Sequence, residues 1–153
     1  MPAHITVMYP FLSRRQLTAG VLSELADLCR RTPPIDVTFR SLGTFPGVVY
    51  LAPTPKEEFR GLTEQVTEMW PGLRPYEGAH AHVVPHLTLA HTDDAGLVRR
   101  IAEEVEPQLP ISSALNQACI FELSGARWRH RASMPLGESA GGTSSPARGT
   151  TSW

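Results

Sequence analysis

The sequence predicts an α+β fold made of two pseudo-symmetric lobes. Three observations carry that expectation. Some segments alternate apolar and polar residues as strands do, and others repeat apolar residues at helical spacing. The order strand, helix, Pro-Ile, hairpin occurs twice along the chain. Each copy opens on His-x-Thr-apolar, as HITV at 4–7 and HLTL at 86–89. A repeated supersecondary unit puts equivalent residues at equivalent places in two lobes.

In the first half, a strand is expected over about residues 4–9, closed by Pro10. A helix follows over roughly 14–31. Ser13 offers an N-cap with Gln16 three residues on, Leu17, Val21, Leu25 and Leu28 form the inner face, and Pro33-Pro34 ends it. IDVTFRSL and VVYLAP flank GTFPG and read as a hairpin. The second helix is announced by TPKE, with Thr54 as cap, Pro55 at the first helical position and Glu57 at the third. Phe59, Leu62, Val66 and Met69 line one side of it. PGLRPYEGAHA is then a loop into a strand over 83–90.

The second half repeats the scheme. Thr92 or Asp93 caps a helix whose inner face is Leu97, Ile101 and Val105, and Pro107 and Pro110 end it. Pro110-Ile111 answers Pro34-Ile35. ISSALNQACIFEL and RWRHRASMPL follow as strands around Ser124-Gly125. Residues 1–136 therefore form one bilobal domain. The remainder, 137–153, reads GESAGGTSSPARGTTSW, too poor in large apolar residues to pack, and is expected to be a disordered tail.

Bulk composition narrows the function classes. The chain has 153 residues, 41% hydrophobic and 19% charged, enough for a core. The formal net charge is -1, from 14 Lys+Arg against 15 Asp+Glu. Proteins that coat long nucleic acids are normally basic overall, whereas a small anion or a nucleic-acid end needs only a local positive site. The two cysteines, Cys29 and Cys119, are far apart and form no C-x-x-C, which argues against a disulfide framework or a thiolate zinc site. No signal peptide or membrane-length apolar run is visible. The expectation is a cytoplasmic, monomeric protein without cofactor.

Alternation along a strand sends His4 and Thr6 one way and Ile5 and Val7 the other. His86 and Thr88 likewise oppose Leu87 and Leu89. Facing lobes would bring two imidazoles and two hydroxyls together. That set suits a phosphodiester. Histidine serves as acid or base near neutrality, and splitting a P–O bond with water needs both a base and an acid. Threonine hydroxyls can donate to the non-bridging oxygens. No metal is required.

The paired motifs, with PAHITVMYPF, VVPHLTLAH, GTFPGVVYLAP and the closing FEL…W…MPLG around them, resemble the two-histidine (2H) phosphoesterase superfamily, and within it the bacterial 2'-5' RNA ligase branch. The resemblance covers nearly the whole chain before the tail. It implies small antiparallel sheets, with helices packed outside, around a central cleft. It implies hydrolysis of 2',3'-cyclic phosphates on RNA 3' ends or nucleotides, usually to a 2'-phosphate, with 2'-5' ligation as the reverse activity. By motif matching, His4 and His86 are the acid/base pair and Thr6 and Thr88 the phosphate ligands. Which histidine is acid and which base stays open. Members of this branch usually carry a strand and a helix ahead of the first motif, and the first lobe here is expected to lack them.

Other features have plainer readings beside the sharper ones. Tyr9 and Tyr76 lie near the motifs and either stack a base or simply pack. His80, His82, His86 and His91 invite a zinc reading, but Pro85 interrupts the strand and no carboxylate falls within it. Arg127, Arg129 and Arg131 alternate with Trp128 and His130. That pattern favours an edge strand with a solvated charged face over attraction of an RNA backbone. The remaining alternative to catalysis is a module that binds a nucleotide or RNA-end phosphate without turning it over.

Overall fold

A computed structural model describes residues 2–78 and 84–137. In chain order these form α1 (Ala19–Arg31), β1 (Ile35–Phe45), β2 (Val48–Thr54), α2 (Glu57–Met69), β3 (Leu87–His91), α3 (Ala95–Val105), β4 (Ile111–Leu115), β5 (Gln117–Ser124) and β6 (Arg127–Pro135). The tail expected to be disordered lies outside the described residues apart from Gly137, as do His80, His82 and Val83.

The α+β prediction holds, and the lobes are interleaved. One antiparallel sheet has the order β3-β2-β1-β4, and β5 and β6 make a separate two-stranded sheet. Two strands of the second half, β3 and β4, thus flank the hairpin of the first. Between β1 and β4, Ile35 faces Leu115, Val37 faces Ser113 and Phe39 faces Ile111. Ile35 and Ile111 are the residues that follow the prolines of the repeat, so the register is symmetric about Val37–Ser113. The expected single strand of the second half, ISSALNQACIFEL, is broken at Asn116 into β4 and β5. The first part joins the large sheet and the second part pairs with β6.

Packing follows the alternation. Ile35, Val37 and Phe39 of β1 meet Leu51, Phe59, Leu25, Cys29, Met134 and Leu136 in the main core. Fully burying a side chain of this size contributes about 1.5–3 kcal/mol. A register shift between Phe39 and Ser41 leaves Arg40 unpaired. Such a bulge resets the alternation. Gly43 and Phe45 therefore emerge on the face opposite to Val37 and Phe39, and Leu42 stays with the core.

The residues 4–9 do not form a strand. One antiparallel bridge, Ile5 to Leu87, is all that remains of it. The reason lies two residues on. Val7 and Met8 both pack on the second core cluster, with Leu28, Leu62 and Val66, and consecutive residues of a strand cannot share a side. The Val7 carbonyl accepts from the Thr63 hydroxyl of α2 at 2.8 Å instead of from a ladder partner.

The caps are displaced too. The Ser13–Gln16 box forms, with Gln16 Oε1 accepting from Ser13 N at 3.1 Å, but it closes only a turn. The helix itself starts later, with Thr18 accepting from Val21 N. Thr54 is held in β2 opposite Thr38 and caps nothing; α2 begins after Lys56 with no side-chain cap bond. The cap of α3 is Asp94, accepting from Leu97 N at 2.8 Å. Asp93 instead accepts from Gly47 N at 2.7 Å. Gly47 has φ 75 in the β1–β2 turn, a conformation that suits glycine.

Candidate functional site

The Ile5–Leu87 bridge joins the two motifs. Both residues pack against the main core, so their neighbours project from the other side. Antiparallel alignment sets His4 toward Thr88 and Thr6 toward His86. On that alignment, strand alternation turns the four motif residues to one surface. His4 is exposed there, while Thr6, His86 and Thr88 are half-buried.

The two imidazoles are held in the same way. His4 Nδ1 lies 2.8 Å from the Pro2 carbonyl oxygen. His86 Nδ1 lies 2.8 Å from the Val84 carbonyl oxygen. A carbonyl only accepts, so each neutral ring carries its proton on Nδ1 and presents an unprotonated Nε2. In each case the partner is the carbonyl two residues back, which ties ring orientation to the backbone of its own motif. The hydroxyls of Thr6 and Thr88 make no hydrogen bond to any described residue. Two free lone pairs and two free donors on one surface can move protons and hold an oxyanion.

His86 has a wall that the sequence did not disclose. Tyr50 pairs with Thr88 across β2 and β3 and with Gly43 across β1 and β2. Its ring stacks on Phe45, centroids 4.2 Å apart and planes 19° apart. The His86 ring is 5.4 Å from Phe45 and 5.6 Å from Tyr50, near perpendicular to both. Almost equal distances from two stacked rings put the imidazole against the side of the stack rather than over either face. Gly43 makes this arrangement fit: a Cβ there would lie 2.5 Å from Tyr50 Cζ. The available signal was a glycine inside an alternating run, which marks close approach. It was masked because GTFPG reads as a turn, whereas β1 runs on to Phe45.

Tyr9 and Tyr76 come together, as neighbours in sequence space would not suggest. Their ring centroids are 6.3 Å apart, and Tyr76 N–H donates to the Tyr9 carbonyl at 2.6 Å. Tyr76 and Glu77 have φ 52 and 55, in the left-handed region. Burial pushes the Tyr76 hydroxyl above its ordinary titration range. Trp128 of β6 joins them, its ring 6.0 Å from Tyr9 and edge-on. On the same face of the small sheet, His130 Nε2 and Ser133 Oγ are 2.8 Å apart. Of the histidines weighed for zinc, His86 is bound up in the aromatic wall and His91 is exposed at the end of β3. Among the described residues, no group of three or more His, Cys, Asp or Glu could hold a metal. Two surface cavities, of about 260 and 370 Å3, are lined by none of the four motif residues. One is lined by Pro10, Leu73 and Arg74, the other by the β1–β2 turn and α3. No described helix is long and apolar enough to cross a membrane.

Comparison with known proteins bears on the same elements. The sequence model of the family described as the 2'-5' RNA ligase superfamily matches residues 1–127. No curated protein matches the chain. Among solved structures, LigT of E. coli complexed with 3'-AMP superposes with a TM-score of 0.52 at 18% identity, over 88% of this chain and 76% of that one. LigT of E. coli complexed with NADP+ gives the same values. A protein described as a phosphoesterase superposes with a TM-score of 0.53 at 18% identity, over 88% of this chain and 77% of that one. At this identity the likeness is one of fold.

Proposed function

The chain belongs to the 2'-5' RNA ligase superfamily, and from that premise we propose that it is a metal-independent phosphodiesterase acting on 2',3'-cyclic phosphates of RNA 3' ends or nucleotides. The observation that supports the reading is the Ile5–Leu87 bridge, which joins the two motifs, each with its imidazole Nδ1 2.8 Å from the carbonyl oxygen two residues back. The 3'-AMP bound to E. coli LigT has the same chemistry, a ribose carrying phosphate.

Hydrolysis adds water across one P–O bond. One imidazole takes a proton through Nε2 as the water oxygen bonds to phosphorus. The other, protonated on Nε2, gives its proton to the departing ribose oxygen. When the 3'-oxygen leaves, the product is a 2'-phosphate. The pair ends with its protonation states exchanged, and solvent resets it. An RNA 5'-hydroxyl in place of water yields a 2'-5' linkage by the same two transfers. Thr6 and Thr88 donate to the non-bridging oxygens, where charge must be stabilised. Tyr9 and Tyr76 contact the base.

The test is incubation with an RNA ending in a 2',3'-cyclic phosphate, with and without EDTA, followed by phosphorus NMR. A phosphomonoester should appear at the same rate in both, and His86→Ala should slow it by roughly 10²- to 10⁴-fold. Calorimetric binding of AMP with no product would instead establish the non-catalytic phosphate-binding module.

A further inference from the structure

We propose that the tip of the β5–β6 hairpin and Tyr9 form a stacking platform for single-stranded RNA, so that the site takes the end of a chain in preference to a free nucleotide. This deepens the phosphodiesterase reading and rests on it for the position of the RNA end.

Exposure is the first observation. Five large hydrophobic residues are exposed among those described, and three of them gather here: Tyr9 at 46%, Leu123 at 52% and Trp128 at 39%. Leu123 and Trp128 face each other across the hairpin. The ring geometry is the second. Tyr9 meets Trp128 edge-on, at 68°. An edge-on contact leaves aromatic faces open, and every nucleobase has a π-face to lay on one. The half-buried Phe45–Tyr50 pair, by contrast, is face to face and has the geometry of packing.

Charge is the third observation. Arg127, Arg129 and Arg131 alternate with Trp128 and His130 along β6. Among the described residues no acidic group lies within ion-pair distance of any of them; the nearby carboxylate, Glu122, is 3.5 Å from Arg14. On a chain whose formal net charge is -1, three arginines on one strand, with no ion pair among the described residues and only Glu122 opposite Arg129 in the hairpin, are a local concentration. Alternation sends Arg127 and Arg129 to the face opposite Trp128, but β6 has no strand beyond it, so their long side chains can reach round that open edge to the phosphates of a strand stacked on the tip. Aromatic rings beside cations are what binding of single-stranded nucleic acid requires, and a peptide or lipid partner has less use for open ring faces.

Two features tie the platform to the motif surface. Tyr9 follows His4 by five residues, a reach of at most roughly 18 Å, so a short oligonucleotide can touch both. The Tyr9 carbonyl is gripped by Tyr76 N–H, with Tyr76 and Glu77 both in the left-handed region. Strain of this kind persists where surrounding contacts hold it, often at ligand sites.

The experiment measures anisotropy of a fluorescent hexauridylate that lacks a terminal phosphate, across a salt series, with the full chain. Trp128→Leu should weaken binding ~5- to 150-fold, the loss of one base–aromatic stack, with an unchanged melting midpoint. Trp128→Tyr should restore most of it. The double variant Arg127→Ala/Arg129→Ala should lower the salt slope by roughly 1.4, about 0.7 per cation on a single strand. Failure of the wild-type chain to bind, or equal affinity with Trp128→Leu, overturns the platform. The probe cannot be hydrolysed at a cyclic phosphate, so this outcome is separate from the activity test. A chain that grips RNA through Trp128 yet opens no cyclic phosphate would keep the platform and lose the phosphodiesterase.

Discussion

Ile5 bridges to Leu87, and each sits between the histidine and the threonine of its own motif. The contact therefore joins equivalent residues of the repeat, as the Val37–Ser113 pair does between β1 and β4. A slip of one residue would turn His4 toward the core. One half-buried side chain thus sets the alignment of the proposed acid and base. Ile5→Ser should cost about 1–2 kcal/mol of stability, less than the loss of a fully buried isoleucine. Its effect on turnover should be larger, about 100-fold, because a misplacement of about 1 Å costs that much. Denaturant midpoints and kcat on the folded protein check it. A rate loss no greater than the unfolded fraction would show that the bridge does not set the geometry.

The proposed proton transfers make the two histidines separable by pH. A base must be neutral, so its limb of the profile rises with pH. An acid must be protonated, so its limb falls as pH rises. Turnover should be bell-shaped, and the two apparent values belong to the pair. His4→Ala and His86→Ala should each cost roughly 10²- to 10⁴-fold, and the double variant little more than the poorer single one. Residual activity in each single variant should keep one limb. The limb it loses assigns the role of the missing histidine. Two variants with unaltered bells would remove both from the chemistry.

Much of this surface was legible before any coordinates, and the reason is covalent. His-x-Thr spacing fixes which side chains share a face wherever the chain is extended. The Pro-Ile repeats located two strands that do pair symmetrically. What could not be read depends on packing at a distance. Residues 4–9 have a strand's composition, yet Val7 and Met8 both answer to the groove between α1 and α2. Thr54 has a cap's chemistry, yet the ladder to Thr38 claims its backbone. Thr92, Asp93 and Asp94 are three adjacent cap candidates, and only the position of Gly47 decides that Asp93 serves the turn and Asp94 the helix. Trp128 meets Tyr9 only because the hairpin folds back on the first motif.

That division of labour can be measured. Asp94→Ala should destabilise the chain by about 1 kcal/mol, the usual worth of an N-cap. Thr92→Ala removes only an acceptor 3.1 Å from Asp94 N and should cost less. Urea midpoints with a shared slope test the order. Equal losses at both positions would mean that the two caps substitute for one another.

The aromatic wall beside His86 depends on an absence, the missing Cβ of Gly43. Gly43→Ala puts a methyl 2.5 Å from Tyr50 Cζ and 2.7 Å from its hydroxyl. Something must move, and overpacking of this kind costs about 1–3 kcal/mol. The displaced ring also loses its stack on Phe45 and its contact with His86. Stability and turnover should therefore fall together. Tyr50→Leu alone removes the wall without a clash. Added to Gly43→Ala, it should recover most of the stability and none of the turnover. Full additivity in that double-mutant cycle would mean that the glycine and the tyrosine do not interact.

Cys29 and Cys119 differ in burial, and that difference has a pH signature. Cys29 is 3% exposed, and burial raises its thiol above the ordinary value of 9.0. Cys119 is exposed. The thiolate is the reactive form, so iodoacetamide should label Cys119 in the native chain and reach Cys29 only on unfolding. A group with a raised folded pKa holds its proton more tightly when folded. Its contribution is fully present below the unfolded value and is lost as pH climbs through the folded one. Warming scans from about pH 7 to about pH 9.5 should show the melting midpoint falling, and Cys29→Ala should flatten that fall. Tyr76, raised by burial in the same way, acts at still higher pH and leaves this window to the thiol. A slope unchanged by Cys29→Ala would mean that the buried thiol keeps its ordinary affinity for its proton.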